Sequence, residues 1–444
     1  MSAEPQAITH RRILKIAVPI VLSNATVPIL GAVDTGVVGQ LGLAAPIGAI
    51  GLGAVIISMF YWIYSFLRMG TTGLVAQARG AGEVAETGAL LTRALLIGAA
   101  GGLMFILLQW PLFHAAFAVA PASDEVEGLA RTYLSIRVWG APAAIAIFAI
   151  NGWLIAMERT RAVLILQIWM NGLNIVLDLW FVLGLGLGVG GVAVATIIAE
   201  WTALGLGLWL CRSAFAGDQW RDWARVFDRA RIARMARVNA DILVRSVLLQ
   251  ITFVAFLFLG ADLGDVTLAA NQVLVQFLQI TAFAMDGFAF AAEALVGSAL
   301  GARNRALLRR SAVMASVWGC GLALPLGLGF WLAGPWLIDT MAKAPEVQHA
   351  ARIYLPWVAL APVAGAAAWM LDGIFIGATR TRQMRNAMLV SVLIYAAALA
   401  ILLPAFGNHG LWAALMVLNV ARGITLFLRY PALERDVTPL PTAA

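Results

Sequence analysis

The feature that most constrains this chain is a succession of long apolar segments separated by short polar breaks. A helix needs about 20 mostly apolar residues to cross the hydrocarbon core of a bilayer. Twelve such segments follow one another along the 444 residues. Because 62% of the residues are hydrophobic and only 12% are charged, the chain has too few polar side chains to cover a water-soluble surface. The sequence therefore predicts an all-α integral membrane protein.

We number the predicted membrane-crossing segments as spans 1 to 12. The first six cover residues 13–39, 46–75, 88–112, 130–157, 162–185 and 190–211. The second six cover residues 238–260, 267–300, 309–333, 351–378, 386–405 and 409–430. These bounds predict an N-lobe at 1–211, a cytoplasmic linker at 212–237, a C-lobe at 238–430 and a cytoplasmic tail at 431–444.

Basic residues concentrate in alternate connections between the spans. The 6–7 connection contains seven arginines, from Arg212 to Arg237, whereas the 3–4 loop is acidic, with Asp124, Glu125 and Glu127. Because Lys and Arg accumulate in the cytoplasmic loops of membrane proteins, the pattern predicts that both termini are cytoplasmic. The same bias accounts for the net charge of +7, and no nucleic-acid partner is expected.

The two halves of the chain resemble each other at one offset of 221 residues. Each half contains six spans, an even number, so both repeats enter the membrane in the same direction. We therefore predict two parallel six-helix bundles around a central cleft. The matching segments are Ala130–Leu134 with Ala351–Leu355, Gly80-Ala81 with Gly301-Ala302, and Arg159-Thr160-Arg161 with Arg380-Thr381-Arg382.

Several catalytic and nucleotide-binding motifs are absent from the sequence. Lys15 and Lys343 are the only lysines and neither belongs to a phosphate-binding Gly-Lys-Ser/Thr loop; no His-Glu-x-x-His motif occurs either. We predict neither enzymatic activity nor a cofactor, and transport would draw on an H⁺ or Na⁺ gradient. A membrane-embedded enzyme or a channel is the alternative class, which clustered His or Cys residues or a flux above carrier turnover would favour.

Polar side chains at similar membrane depth form a group in the first half. Asp34 lies near the outer end of span 1, Asp178 near that of span 5, and Thr196 inside span 6, while Asn171, Asn174 and Asp178 share one face of span 5. Ionisable residues at membrane depth mark ion or substrate paths, and carboxylate, amide and hydroxyl oxygens suit a small hard cation such as Na⁺. These five residues are a candidate proton or Na⁺ site; hydrogen-bonded packing between helices is the alternative.

Span 1 also contains Pro19, which cannot donate a backbone hydrogen bond. Such a residue produces either a static kink or a bend whose angle responds to protonation of Asp34, and the sequence leaves both open.

A second group of polar residues lies in the other half of the chain. The sequence allows two interpretations of this group, an ion path or a structural network of ion pairs. The group comprises Asp241, Arg245, Asp286, Glu293 and Asp372. Arg68, Arg137, Glu200 and Arg422 also fall at membrane depth, and the sequence does not identify their partners.

These motifs resemble the MATE (multidrug and toxic compound extrusion) transporters. The resemblance rests on Ala32-Val33-Asp34-Thr35, on Asn174 to Asp178 and on Thr196, and Met285–Ala294 and Leu371–Arg380 resemble the DinF (DNA-damage-inducible protein F) branch. It implies a monomeric antiporter of the bacterial inner membrane, surrounded by lipid bilayer, that exports drug-like cationic or amphipathic compounds in exchange for H⁺ or Na⁺.

In that family, the residues matching Asp34, Asn174, Asp178 and Thr196 form the proton or cation site, and Pro19 matches a bending proline. Other branches carry an acid midway along span 7, but residues 247–253 contain none, so a second Na⁺ site is not expected. A lipid-linked oligosaccharide flippase of the same superfamily is the alternative, which a wide arginine-lined groove would favour.

Overall fold

A computed structural model describes residues 7–40, 44–119 and 123–437. Within these ranges the chain is almost entirely helical and has no β-strand. In this described part of the chain, twelve helices are long and apolar enough to cross a membrane, which confirms the all-α class and the predicted number of spans. Residues 438–444 of the predicted tail lie outside the described residues.

Most of the observed spans are longer than the apolar segments that predicted them, whereas span 3 is shorter by one residue. Spans 7, 9 and 10 contain 33, 37 and 33 residues, because polar and basic turns continue each helix beyond its apolar part. Spans 1 to 6 are His10–Gly39, Ala45–Gly80, Val84–Leu107, Asp124–Ala156, Thr160–Gly184 and Gly188–Leu210. Spans 7 to 12 are Arg229–Ala261, Asp265–Gly301, Arg305–Met341, Pro345–Gly377, Thr381–Phe406 and Asn408–Arg435.

Three of the first six spans contain a break in their α-helical hydrogen bonding. Span 2 is interrupted at Tyr64, span 4 contains a 3₁₀ turn at Val138–Gly140, and span 5 ends in a π-helical segment at Leu179–Gly184. π-Helical segments are rare in proteins, and those that occur often lie at functional sites. The π-segment begins directly after Asp178, one of the predicted site residues.

Contacts divide the chain into two compact units. One comprises Met1–Val21, Ala76–Gly82 and Ala233–Ala444, and the other comprises Leu22–Val75 and Glu83–Ile232. Span 1 therefore changes unit after Val21, and the linker residues up to Ile232 belong with spans 3 to 6. The boundaries derived from the sequence assign these segments differently. The predicted N-lobe, linker, C-lobe and tail stay predictions.

The linker is held against the start of span 3 by buried charged groups. Glu86 accepts a hydrogen bond from Arg93 at 2.7 Å and also contacts Arg231. The Arg93 guanidinium donates to the backbone carbonyls of Val226 at 2.8 Å and of Arg225 at 2.7 Å. The polar linker is therefore packed on the bundle through side chains that the loop-charge pattern alone does not single out.

Two glycines that the internal repeat relates lie at one close backbone crossing. A Cβ atom added to Gly80 would lie 1.9 Å from the carbonyl oxygen of Ser298, and one added to Gly301 would lie 2.0 Å from that of Gln77. Backbone atoms cannot move aside as a flexible side chain does. The Gly-Ala step shared by the two repeats thus marks the place where the ends of spans 2 and 8 touch.

We expect Gly80→Ala and Gly301→Ala each to destabilise the protein by about 1–3 kcal/mol, as overpacking of a close contact does. The measurement is the unfolding temperature of purified protein in detergent. Gly321→Ala is the matched control, because this helical glycine has no atom within 4 Å of its added Cβ. An unfolding temperature that is unchanged in both crossing variants would contradict the close approach.

Candidate functional site

The carboxyl group of Asp34 on span 1 lies within hydrogen-bonding reach of the carboxyl group of Asp178 on span 5. Asp178 is completely buried and Asp34 is partly exposed. No N–H or O–H group among the described residues donates to Oδ1 of Asp178. Since an ionised carboxylate has only acceptor atoms, a hydrogen bond between these two groups requires one proton held by the pair.

Asn174 connects Asp178 to span 6. In the amide orientation that satisfies both ends, its nitrogen donates to Oδ2 of Asp178 at 2.8 Å and its oxygen accepts from the Thr196 hydroxyl at 2.9 Å. Asn174 is one turn before Asp178 on the same helical face. The structure thus brings together four of the five residues that the sequence grouped: Asp34, Asn174, Asp178 and Thr196.

Asn171 occupies a separate position on the same helix. Its amide nitrogen donates to the hydroxyl of Thr26 on span 1 at 2.7 Å, and its oxygen accepts from Gln167 at 3.1 Å. It therefore joins span 5 to span 1 about two turns away from the Asp34–Asp178 pair.

A buried ion pair lies beside the two carboxyl groups. Both terminal nitrogens of Arg137 donate to Glu200, at 2.8 and 3.0 Å, and the charge of Arg137 acts on both Asp34 and Asp178. Gly140 leaves room for this geometry, because an added Cβ would lie 2.1 Å from Oε2 of Glu200. Depth along the spans locates Arg137 and Glu200 in the membrane, but only the structure shows that they pair.

Pro19 is buried in a turn of span 1 that packs closely on span 8. A Cβ atom added to Gly287 would lie 2.4 Å from a methyl carbon of Val21 and 2.8 Å from the carbonyl oxygen of Ala17. Gly287 belongs to the Met285–Ala294 motif, so part of that motif serves this contact. Pro19 also lies two residues before the point at which span 1 changes unit.

The polar residues predicted in the second half separate into different contacts. Arg245 hydrogen-bonds Asp372, and Arg422 donates to the same carboxylate at 2.6 Å. Asp241 accepts instead from Arg385 at 2.7 Å and from the Thr381 hydroxyl at 3.2 Å. Asp241 and Arg245, four residues apart on span 7, therefore have different partners.

Spans 8 and 10 pack backbone to backbone around the remaining predicted acids. Glu293 is buried and Asp286 is partly exposed. A Cβ atom added to Gly377 would lie 2.3 Å from the carbonyl oxygen of Glu293, and one added to Gly373 would lie 2.4 Å from that of Ala289. The glycines of the span 10 motif thus permit close helix packing.

We expect Asp372→Asn to destabilise the protein by about 3–5 kcal/mol, because it leaves two buried guanidinium groups without a counter-charge. Thermal unfolding in detergent measures the loss. Asp339→Asn is the control: Asp339 forms an exposed ion pair with Arg352 at 2.6 Å, and such pairs contribute about 0–1 kcal/mol. Equal unfolding temperatures for the two variants would refute a structural role for the buried cluster.

A family model described as MatE matches residues 19–180 and 242–402. The chain belongs to the MatE family. The same model matches once in each half, as the internal repeat predicts, and the resemblance inferred from the motifs is confirmed. This chain is therefore a MatE-family transporter and a multi-pass membrane protein.

Relatives agree with this assignment, and a solved structure shares the fold. The transporter is 39% identical to DNA damage-inducible protein F of Escherichia coli (strain K12), over 96% of this chain and 92% of that protein. It is 28% identical to "Probable multidrug resistance protein NorM" of Synechocystis, over 68% of this chain and 67% of that protein. Its fold matches the Vibrio cholerae MATE transporter VcmN in the bent form, with a TM-score of 0.85, 21% identity and coverage of 96% and 97% of the two chains.

Proposed function

We propose that this transporter exports cationic or amphipathic organic compounds in exchange for H⁺, with the proton bound between Asp34 and Asp178. The observation that supports this proposal is the approach of the two carboxyl groups to within hydrogen-bonding reach. In water such a pair would separate or ionise. In a site where Asp178 has no exposed surface, a shared proton is the simplest way to remove the repulsion between them.

The substrate class rests on the relatives. One of them is named as a multidrug resistance protein, and members of the family move compounds across membranes. We therefore propose drug-like cations as cargo, carried by alternating access through the predicted central cleft of a monomer in the bacterial inner membrane, with both termini in the cytoplasm.

The proposed coupling is electrostatic. Loss of the shared proton leaves two negative charges close together in a low-dielectric site, and their repulsion acts between span 1 and span 5. Asp34 and Pro19 both lie on span 1, so the repulsion between the two carboxylates acts on the helix that contains the proline. A proton drives transport only if it binds the two conformations with different affinity, and we propose that the Asp34–Asp178 contact exists in one of them.

We propose H⁺ rather than Na⁺ because of how the neighbouring oxygens are used. The Asn174 oxygen accepts from Thr196 in the satisfied orientation, and the Thr196 hydroxyl also lies 2.9 Å from the carbonyl oxygen of Val192. The Asn174 oxygen also accepts from the backbone N–H of Thr196 at 3.2 Å, so both of its lone pairs are engaged. A Na⁺ ion bound by Asp34, Asn174, Asp178 and Thr196 would require the Asn174 amide to rearrange.

The test is uptake of a fluorescent organic cation into vesicles that contain the purified transporter, with pH and Na⁺ gradients imposed separately. We expect a pH gradient alone to drive transport. Asp34→Asn and Asp178→Asn should each reduce it at least tenfold, because an amide preserves the size of the side chain without exchanging a proton. Asp339→Asn is the matched control and should transport normally.

Unchanged exchange in either carboxamide variant, at equal protein content and unfolding temperature, would remove that residue from the coupling mechanism. Transport driven by Na⁺ alone would replace H⁺ with Na⁺ as the coupling ion. A lipid-linked oligosaccharide flippase would show no exchange of H⁺ for the fluorescent cation, so the same assay separates the two functions.

A further inference from the structure

A groove of about 620 Å³ lies between the beginning of span 11 and the end of span 12. Arg382 and Gln383 line it on span 11, and Thr425 and Arg429 line it on span 12. These consecutive spans run in opposite directions, so the start of one and the end of the other lie on the same side of the membrane. That side is the one where basic loops accumulate, the predicted cytoplasmic side.

The two arginines of this groove have no acidic partner among the described residues. Arg382 and Arg429 are both exposed, and the side chain of neither forms a hydrogen bond or ion pair with residues 7–40, 44–119 or 123–437. Nearby arginines differ, since Arg380 donates to Asp436 at 2.7 Å and Arg385 donates to Asp241 at 2.7 Å. The groove therefore presents two uncompensated positive charges.

The groove becomes less polar with depth along span 11. Arg382 is the second residue of span 11, and Val390 lies two helical turns further on, about 12 Å deeper along the helix. Val390 lines the groove and is 47% exposed, whereas Asn386 and Thr425 line its middle. The order along span 11, from a guanidinium group at the helix end to an exposed aliphatic side chain deeper in the membrane, matches the order of phosphate and acyl chain in a phospholipid.

An adjoining cavity extends the basic surface on this side of the protein. It has a volume of about 490 Å³, and Arg382 and Gln383 border both cavities. Arg234 and Arg237 line the adjoining cavity as well. Positive charge therefore continues beyond the groove.

We propose that this groove binds an anionic phospholipid. Its phosphate lies between Arg382 and Arg429, and one acyl chain extends along span 11 toward Val390. Arginine presents paired N–H donors that match phosphate oxygens, and basic pockets between membrane helices on the cytoplasmic side suit anionic lipid headgroups. This assignment does not depend on the proposed transport function.

The test is native mass spectrometry of the purified transporter titrated with phosphatidylglycerol, and with phosphatidylcholine as the zwitterionic comparison. We expect phosphatidylglycerol to bind preferentially to the wild-type protein. Each Arg→Gln substitution should weaken this binding about fivefold, so R382Q/R429Q should weaken it about 25-fold. The double lysine variant R382K/R429K, which keeps the charge, should retain most of the preference.

Arg310→Gln is the matched control. Arg310 is exposed near the start of span 9 and lines neither of the two cavities, so its loss should leave phosphatidylglycerol binding unchanged. Equal binding of both lipids to the wild type, or equal loss in R310Q and R382Q/R429Q, would overturn the proposal. Displacement of the lipid by millimolar inorganic phosphate would also overturn it, because it would show a site for the free anion.

Discussion

Charge burial in a low-dielectric environment determines where the ionisable side chains of this protein lie. An isolated buried charge is costly, and partners that neutralise it lower the cost. Arg137 is paired with Glu200, Arg93 with Glu86, and Asp372 with two arginines. Each acid in these clusters has a guanidinium group against it.

The Asp34–Asp178 pair departs from this pattern, because two acids face each other without a direct basic partner among the described residues. Arg137, whose charge reaches both carboxyl groups, is already engaged by Glu200. A mobile cation is then the remaining means of neutralisation, and a proton is the smallest. Buried charge must be neutralised in every cluster. In the other clusters a fixed guanidinium group does this, whereas in the Asp34–Asp178 pair a proton would do it, so the pair would respond to the surrounding pH.

Hydropathy and loop charge were sufficient to predict the number of spans, the helical class and the common depth of Asp34, Asp178 and Thr196. These properties depend on residues near each other in sequence. Ion pairing instead joins residues that are far apart in sequence. Asp372 pairs with Arg422, which is 50 positions away, and Asp241 pairs with Arg385, which is 144 positions away. Asp241 and Arg245 lie four residues apart on span 7, but the packing of span 10 places Asp372 against that arginine. The docking of the linker on Glu86 and the π-segment of span 5 likewise depend on tertiary packing.

The π-segment after Asp178 has a further consequence for span 5. In it, the amide of Leu185 donates to the carbonyl of Trp180 at 2.9 Å, a separation of five residues instead of four. The last turns of span 5 are therefore wider than an α-helix. Because span 5 ends with this segment, the change in pitch affects the connection to span 6 and not the α-helical turns that carry Asn174 and Asp178. The irregular end of the helix thus begins directly after one member of the buried carboxyl pair.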